Sequence, residues 1–429
     1  MTQAASIPTH GYGLRQESRE SLSSAPSAAR LPQDQTSSLA FKLVLVFIFL
    51  LFSNIAQMFP ILDVVRPAQT VGGLALLALV CEKLTGGQRF NFALPDVSPD
   101  GYLLAGFLGA TLLSTLAAVW PAYALQAVQD FAKMVVIYLL IVNTANTENR
   151  VRTLLWTMVL CGLFPALGSL WNWQQGIQVE GRAAWIGIFA NPNEMAYGLV
   201  ILIPLAVMLA GSARLPLRLL TWLIVAVFTV AIYLSFSRGS LIGLAAVCAY
   251  MGFRQKSAVA RTAIVGLVLA GALAGSIYWS RDAGFKDVGA DANFQERLTT
   301  YQVAWAMYSH SPVFGVGLNC SSIAWPLYAP TPKLSHHKWL ITHNTFIQAL
   351  SETGTVGFLF LVSFFGAALV RVWRNSRNRS LPEHVRELSA ALEISFWGFL
   401  ICGMSGGYVM SWFPYLLAGS IGAAGRIAE

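Results

Sequence analysis

From residue 38 to the end of the chain, long apolar runs alternate with short polar stretches. The runs are roughly 17–25 residues long, which is what an α-helix needs to cross the hydrocarbon core of a bilayer. They predict spans at residues 38–59, 69–84, 101–120, 122–142, 151–173, 194–210, 219–235, 240–253, 262–280, 355–373, 388–404 and 408–422. The expected fold class is therefore all-α, a polytopic membrane protein built as a bundle of about twelve transmembrane helices. Residues 1–37 are polar, rich in Ser, Ala and Gln, and contain Arg15, Arg19 and Arg30. No apolar segment of signal-peptide type starts there, so they are expected to form a disordered tail.

Two connections break the pattern of short links. One, at residues 174–193, carries Glu180 and Arg182. The other, at residues 281–342, carries Asp282, Lys286, Arg297, His310, His336, His337 and Lys338. The second exceeds ordinary loop lengths, and such loops usually have a function or structure of their own. Its string FQERLTTYQVAWAMYS at residues 294–309 has helical periodicity. The predicted division is a tail at residues 1–37, nine spans at 38–280, a partly helical loop at 281–342 and three spans at 343–429.

Composition agrees with a membrane protein. Hydrophobic residues make up 55% and charged residues 11% of the 429 positions, and mean hydropathy is +0.58. A net charge of +8 suggests a nucleic-acid partner only until the charges are placed. Arg150, Arg152, Arg214, Arg218, Arg254, Lys256, Arg261, Arg371, Arg374, Arg377, Arg379 and Arg386 all fall on the side of the N-terminal tail. That asymmetry is a topology signal which assigns this side to the cytoplasm, so no nucleic acid is expected. Both long loops then lie on the opposite side.

Cysteines and nucleotide motifs add little. The five cysteines have no CxxC spacing, so neither a zinc site nor a disulfide framework is indicated, and Cys320 reads as a buried thiol. His336 and His337 are adjacent rather than at metal-ligand spacing, and no HExxH is present. No phosphate-binding glycine loop precedes a helix, so no nucleotide, metal or other cofactor is expected. Asp130 and Lys133, at i and i+3 within a span, are placed to pair.

The most informative stretch is THNTFIQALSETGTVG at residues 342–357. In a continuous helix, His343, Ile347, Leu350, Gly354 and Gly357 would share one face about three turns long. The two glycines would admit a close neighbouring helix, and His343 would sit at its outer end. On spacing alone, His343 reads either as a helix cap at an interface or as a site residue. Arg238 lies between two apolar runs, where an arginine costs at least ~2.5–3.5 kcal/mol unless it faces a polar cavity, an anion or the headgroups. Arg182 is loop-borne, where solvation is the default, and Arg297 beside Glu296 suits a structural ion pair. Asn191-Pro192 is a good helix start. Its free N–H groups would point to the same side as His343 and suit an anion.

His-Asn, nine residues, Gly, two residues, Gly resembles the signature of the O-antigen ligase and polymerase superfamily. SPVFGVG at residues 311–317 is similar to that family's P-x-x-G-x-G segment, and Ser237-Arg238-Gly239 to its SRG element. Gly181-Arg182 with FANPN at residues 189–193 is similar to the segment before its middle span. The resemblance implies a GT-C-like glycosyltransferase of the bacterial inner membrane with its active site facing the periplasm. It implies undecaprenyl-diphosphate-linked O-antigen as donor and lipid A-core oligosaccharide as acceptor, among membrane lipids. His343 would be the catalytic base, Arg182 and Arg238 would bind the donor diphosphate, and transfer would be metal-independent and inverting. Arg297, His336, His337 and Lys338 are left as acceptor-binding or structural residues. A polymerase of the same superfamily and a twelve-span lipid or polysaccharide transporter are the alternatives. The late, large loop favours a ligase, and the lack of matched halves argues against a transporter.

Overall fold

In the computed structural model, the described residues are Ser38–Thr85, Pro99–Gln255, Ala292–Ala329 and Leu340–Ala428, with isolated positions between Ala258 and Gly266. Among them the chain is all α-helical apart from short 3₁₀ turns and one isolated bridge between Val179 and Arg182. The helices are α1 (Leu39–Ser53), the short α2 (Ile55–Met58) and α3 (Pro60–Val65), α4 (Pro67–Thr85), α5 (Pro99–Ser114) and α6 (Pro121–Thr144). Then come α7 (Glu148–Cys161), α8 (Leu163–Gln174), α9 (Pro192–Gly211), α10 (Leu215–Leu234) and α11 (Arg238–Arg254). The loop contributes α12 (Ala292–His310) and α13 (Ser321–Tyr328), and α14 (Thr345–Arg377), α15 (Glu383–Gly403) and α16 (Phe413–Ala428) complete the chain. Seven spans among the described residues are long and apolar enough to cross a membrane. The protein is an all-α, polytopic membrane protein.

Each expected apolar run falls on helix except 262–280, most of which lies outside the described residues. Boundaries moved where local chemistry intervenes. The first helix stops at Ser53 because Asn54 takes a left-handed conformation (φ 48°). The run at 151–173 is divided between α7 and α8 at Gly162, where a Cβ would fall 2.5 Å from Leu202 of α9 and 2.8 Å from Phe228 of α10. The last run begins at Phe413 rather than 408, since Ser405–Ser411 is irregular. Helix formation in the loop at 294–309 is met by α12.

Helix α9 is central: 78% of its spanning window is buried, against 17% for the peripheral α4. It packs on α10, α11 and α15, while α14 packs on α5 and α15. Phe52, Phe189, Trp412 and Phe413 form an aromatic cluster beside it, with Trp412 and Phe413 stacked at 3.9 Å. Asp130 and Lys133 pair at 2.6 Å, both about half exposed. Cys320 is fully buried, and burial pushes its thiol up to about 12.

One end of the bundle collects the cations. Arg371 pairs with Asp100 at 3.3 Å, Arg152 with Glu148 at 2.9 Å, and Arg254 and Arg377 both reach Glu393. At the other end α12 and α13 pack against α14.

Candidate functional site

The geometry of this second end starts from a break in α14. Residues 342–357 do not form one helix. Asn344 is the N-cap, its side chain accepting from the Phe346 and Ile347 N–H groups at 2.9 and 3.1 Å. His343 therefore precedes the helix instead of sitting on its face. At the far end Gly354 leaves helical geometry altogether, at φ 64°, ψ −168°, a region nearly closed to other residues. The expected five-residue face is thus corrected at both ends: asparagine caps better than it continues a helix, and the glycine yields to a segment of the loop.

That segment is SPVFGVG. Thr355 and Val356 donate to the Pro312 and Val313 carbonyls at 2.8 and 3.3 Å, and Val316 and Gly317 donate to Ser351 and Glu352 at 3.0 Å each. The loop backbone fills the gap in the helix and takes up groups that the break leaves open. Nothing larger than glycine fits there: a Cβ on Gly315 would lie 2.4 Å from the Glu352 carbonyl carbon. Below the break the fully buried Glu352 carboxylate accepts from the Asn319 N–H at 2.9 Å, the Ser321 hydroxyl at 2.6 Å and the Gln348 amide at 3.2 Å. It pins the start of α13 to α14. Nothing in the spacing of residues 342–357 had singled it out.

Three helices begin at this end, and residues 404–408 tie them together. Asn344 donates to the Met404 carbonyl at 3.1 Å, Thr345 to the Gly406 carbonyl at 2.7 Å, and the Tyr408 N–H to Thr345 Oγ1 at 3.0 Å. Tyr197 of α9 donates to the Ser405 carbonyl at 3.1 Å. Gly239, the second residue of α11, sits so close that a Cβ would be 2.5 Å from the Tyr197 hydroxyl and 2.7 Å from Ser405 Oγ. That contact explains the glycine of the SRG element. Its neighbour Arg238 opens α11 and is half-buried, with Ser237 as the cap, accepting from Ser240 at 3.4 Å. Asn191 caps α9 as expected, accepting from the Asn193 N–H at 2.9 Å, with Pro192 at the first helical position.

Arg182 departs from the solvated default for a loop arginine. A tight turn through Glu180 (φ 52°) and Gly181 (φ 69°) returns it to pair with Val179. Its side chain is only 4% exposed. Nε donates to the Ser235 carbonyl at 2.7 Å and Nη2 to Asn193 Oδ1 at 2.5 Å. It joins the end of α10 to the start of α9, a desolvated position that offsets its charge with directed bonds.

Arg297 comes from the loop helix α12 and donates to Ser405 Oγ. Its field also reaches His343. Burial first, and then Arg297, hold the half-buried imidazole below its ordinary value of 6.5, while Glu296 opposes them. His343, Arg297, Ser405, Tyr197 and the start of α11 thus belong to one neighbourhood, with Arg182 bracing the adjoining start of α9. Ser405 and Tyr197 were missed in the sequence. The only signal was Gly406-Gly407, which reads as a simple gap between spans. His336, His337 and Lys338 lie outside the described residues. Among the described residues, no group of three or more His, Cys, Asp or Glu side chains gathers as a metal site would require.

Fold and site together define a membrane-spanning protein with a polar site at one end of its bundle, equipped with a neutral-leaning histidine, arginines and helix N-termini. Residues 222–362 match the family described as O-Antigen ligase, and the match supports membership of the chain in the O-antigen ligase/polymerase superfamily. The matched stretch contains Arg238, the 311–317 segment, His343 and Gly354, and leaves Arg182 and Asn191 outside. No curated protein matches the chain.

Proposed function

We propose that the chain is an O-antigen ligase of the bacterial inner membrane. In this reading it transfers polysaccharide from undecaprenyl diphosphate to a sugar hydroxyl of lipid A-core, with the site on the periplasmic face. The observation that carries the reading is the gathering of His343 and Arg297 beside the starts of α11 and α14, most of it within the family match. His343 takes the proton of the acceptor hydroxyl, because a pKa held below 6.5 keeps the imidazole neutral and ready to accept. The freed oxygen attacks the anomeric carbon as the bond from that carbon to the diphosphate oxygen breaks. Undecaprenyl diphosphate leaves with the electron pair, and a single displacement inverts the centre. Arg238, with Arg182 bracing the adjoining helix start, stabilises the charge that grows on the leaving diphosphate. Cationic groups then supply what a metal supplies elsewhere, and the reaction is metal-independent. The position of Arg297 between Ser405 and His343 supports a positioning role for it.

The test uses purified protein with lipid-linked polysaccharide and rough lipopolysaccharide, without nucleotide or metal. The ligase reading expects a ladder of modified lipopolysaccharide on a gel. Elongation of the lipid-linked chains with the lipopolysaccharide untouched would replace ligase by polymerase. No transfer to either acceptor would overturn the enzymatic reading.

A further inference from the structure

At the cation-rich end, a groove of about 380 Å³ opens between α11, α14 and α15, and its lining includes none of the residues of the site already described. That volume falls within the range of ligand pockets, roughly 300–1,000 Å³. Its walls repeat at helical spacing. Ala246 and Tyr250 come from α11, Trp373 and Arg377 from α14, and Glu393, Trp397 and Ile401 from α15. Successive members on α11 and α15 are four residues apart, so the groove runs about two turns, on the order of 12 Å, along the bundle.

Polarity is graded along it. The end at the helix termini is charged: Glu393 is fully buried and is bonded by Arg377 at 2.9 Å, Arg254 at 3.0 Å and the Tyr250 and Ser376 hydroxyls at 2.5 and 2.6 Å. Two guanidiniums against one carboxylate leave a net positive charge, and the Arg377 and Arg254 side chains are still 41% and 27% exposed. The inner end is apolar, with Ala246 and Gly398 providing the room. Trp373 and Trp397 flank the opening and are 48% and 41% exposed toward the outside of the bundle. Arg377 stacks over the Trp373 ring at 5.0 Å. A cationic mouth, tryptophans at its rim and an apolar floor running toward mid-membrane match one kind of molecule: an amphiphile with an anionic head and an aliphatic tail.

We propose that this groove is a binding site for an anionic phospholipid, its headgroup phosphate at Arg377 and Arg254 and an acyl chain along Ala246, Trp397 and Ile401. The positive-inside pattern puts this end in the cytoplasmic leaflet, where acidic lipids attract basic clusters. The proposal is independent of the transferase reading.

The test is tryptophan quenching in the full-length protein, reconstituted into phosphatidylcholine vesicles containing a minor fraction of phosphatidylglycerol. Bromine is placed on the acyl chains of one lipid or the other. The signal of the groove is the quenching lost in the double variant Trp373→Phe/Trp397→Phe. One net basic charge near the surface predicts enrichment of phosphatidylglycerol at the groove of roughly fivefold over phosphatidylcholine. Arg377→Gln should reduce that preference. Ala246→Phe should abolish it by filling the groove while leaving every charge in place, so the proposal stays testable if the arginine variant fails to fold. Equal quenching by both lipids in the parent, a preference that survives Ala246→Phe, or its full displacement by inorganic phosphate would each overturn the lipid assignment.

Discussion

Replacing Gly354 by alanine tests whether the break in α14 is built or incidental. At φ 64°, ψ −168° the residue occupies a conformation that costs other residues about 1–3 kcal/mol. The added methyl would also lie 2.3 Å from the Val313 carbonyl oxygen, 2.4 Å from its carbon and 2.5 Å from the Phe314 nitrogen. All three are backbone atoms, so no side chain can swing aside. Relief requires moving the loop segment away, which strains the bonds from Thr355 to Pro312 and from Val356 to Val313. Each of those contributes about 0.5–1.5 kcal/mol net.

Conformational strain and two weakened bonds together give a destabilisation of roughly 2–6 kcal/mol. At about 2.1 cal/mol/K of unfolding entropy per residue, that lowers the Tm of a protein of this size by roughly 2–7 °C. The control is Gly366→Ala in the same helix, where the position is exposed and a Cβ meets nothing within 4 Å. It should be neutral or stabilise by about 0.5–1 kcal/mol. Both variants are measured by thermal unfolding of the purified protein in detergent. Coincident melting curves for the two would refute the argument, because they would mean that neither the backbone angle nor the loop contact constrains residue 354.

The site makes four further predictions. His343 must be neutral to accept a proton and its pKa lies below 6.5, so the acid limb of kcat/KM should have its midpoint below that value. Arg297→Gln should move the limb up and Glu296→Gln down, and a parent midpoint above 6.5 contradicts the assignment. Transfer should persist in EDTA without nucleoside triphosphate; activity lost on chelation and restored by one divalent ion would reveal a metal role. Arg182→Ala should lower Tm as well as activity, since it removes two charge-assisted bonds worth roughly 1.5–3 kcal/mol each from a buried position, and a variant as stable as the parent would contradict this. His343→Ala should lower turnover by about 10²–10⁴-fold with Tm near the parent value; a stable, fully active variant would remove the base.

The spans were legible because a lipid-crossing helix writes itself as composition: length and apolarity suffice. The cap at Asn191 was legible for the same local reason, since an N-cap acts on backbone groups two or three residues away. What spacing concealed was tertiary. Gly354 inside a helical period looks like a close-packing glycine, and only the loop backbone lodged against it shows why it is there. Glu352 looked like one more residue in the run until Asn319 and Ser321, more than thirty positions upstream, were seen to bond it. Arg182 looked solvated because nothing local reveals that the end of α10, at Ser235, supplies its acceptor.

The caps also decide where an anion at this site must find its partners. A helix N-terminus offers both a field, equivalent to roughly half a positive charge, and free N–H groups. Here the side chains of Asn191, Ser237 and Asn344 already accept from the first-turn N–H groups of α9, α11 and α14. The field remains while several of the directed donors are spent. At ~5 Å and an effective dielectric of 20, each half charge contributes about 1.7 kcal/mol toward a unit negative charge. That is enough to draw a diphosphate but not to orient it. Orientation must come from guanidinium forks, and Arg182 has Nε and Nη2 directed to Ser235 and Asn193. In the proposed reaction that role falls to Arg238, half-buried in the first turn of α11 and beside the Gly239–Tyr197–Ser405 contact. On that reading, Arg238→Lys keeps the charge and loses the fork, and it should impair use of the donor more than it impairs folding, the reverse of the balance at Arg182.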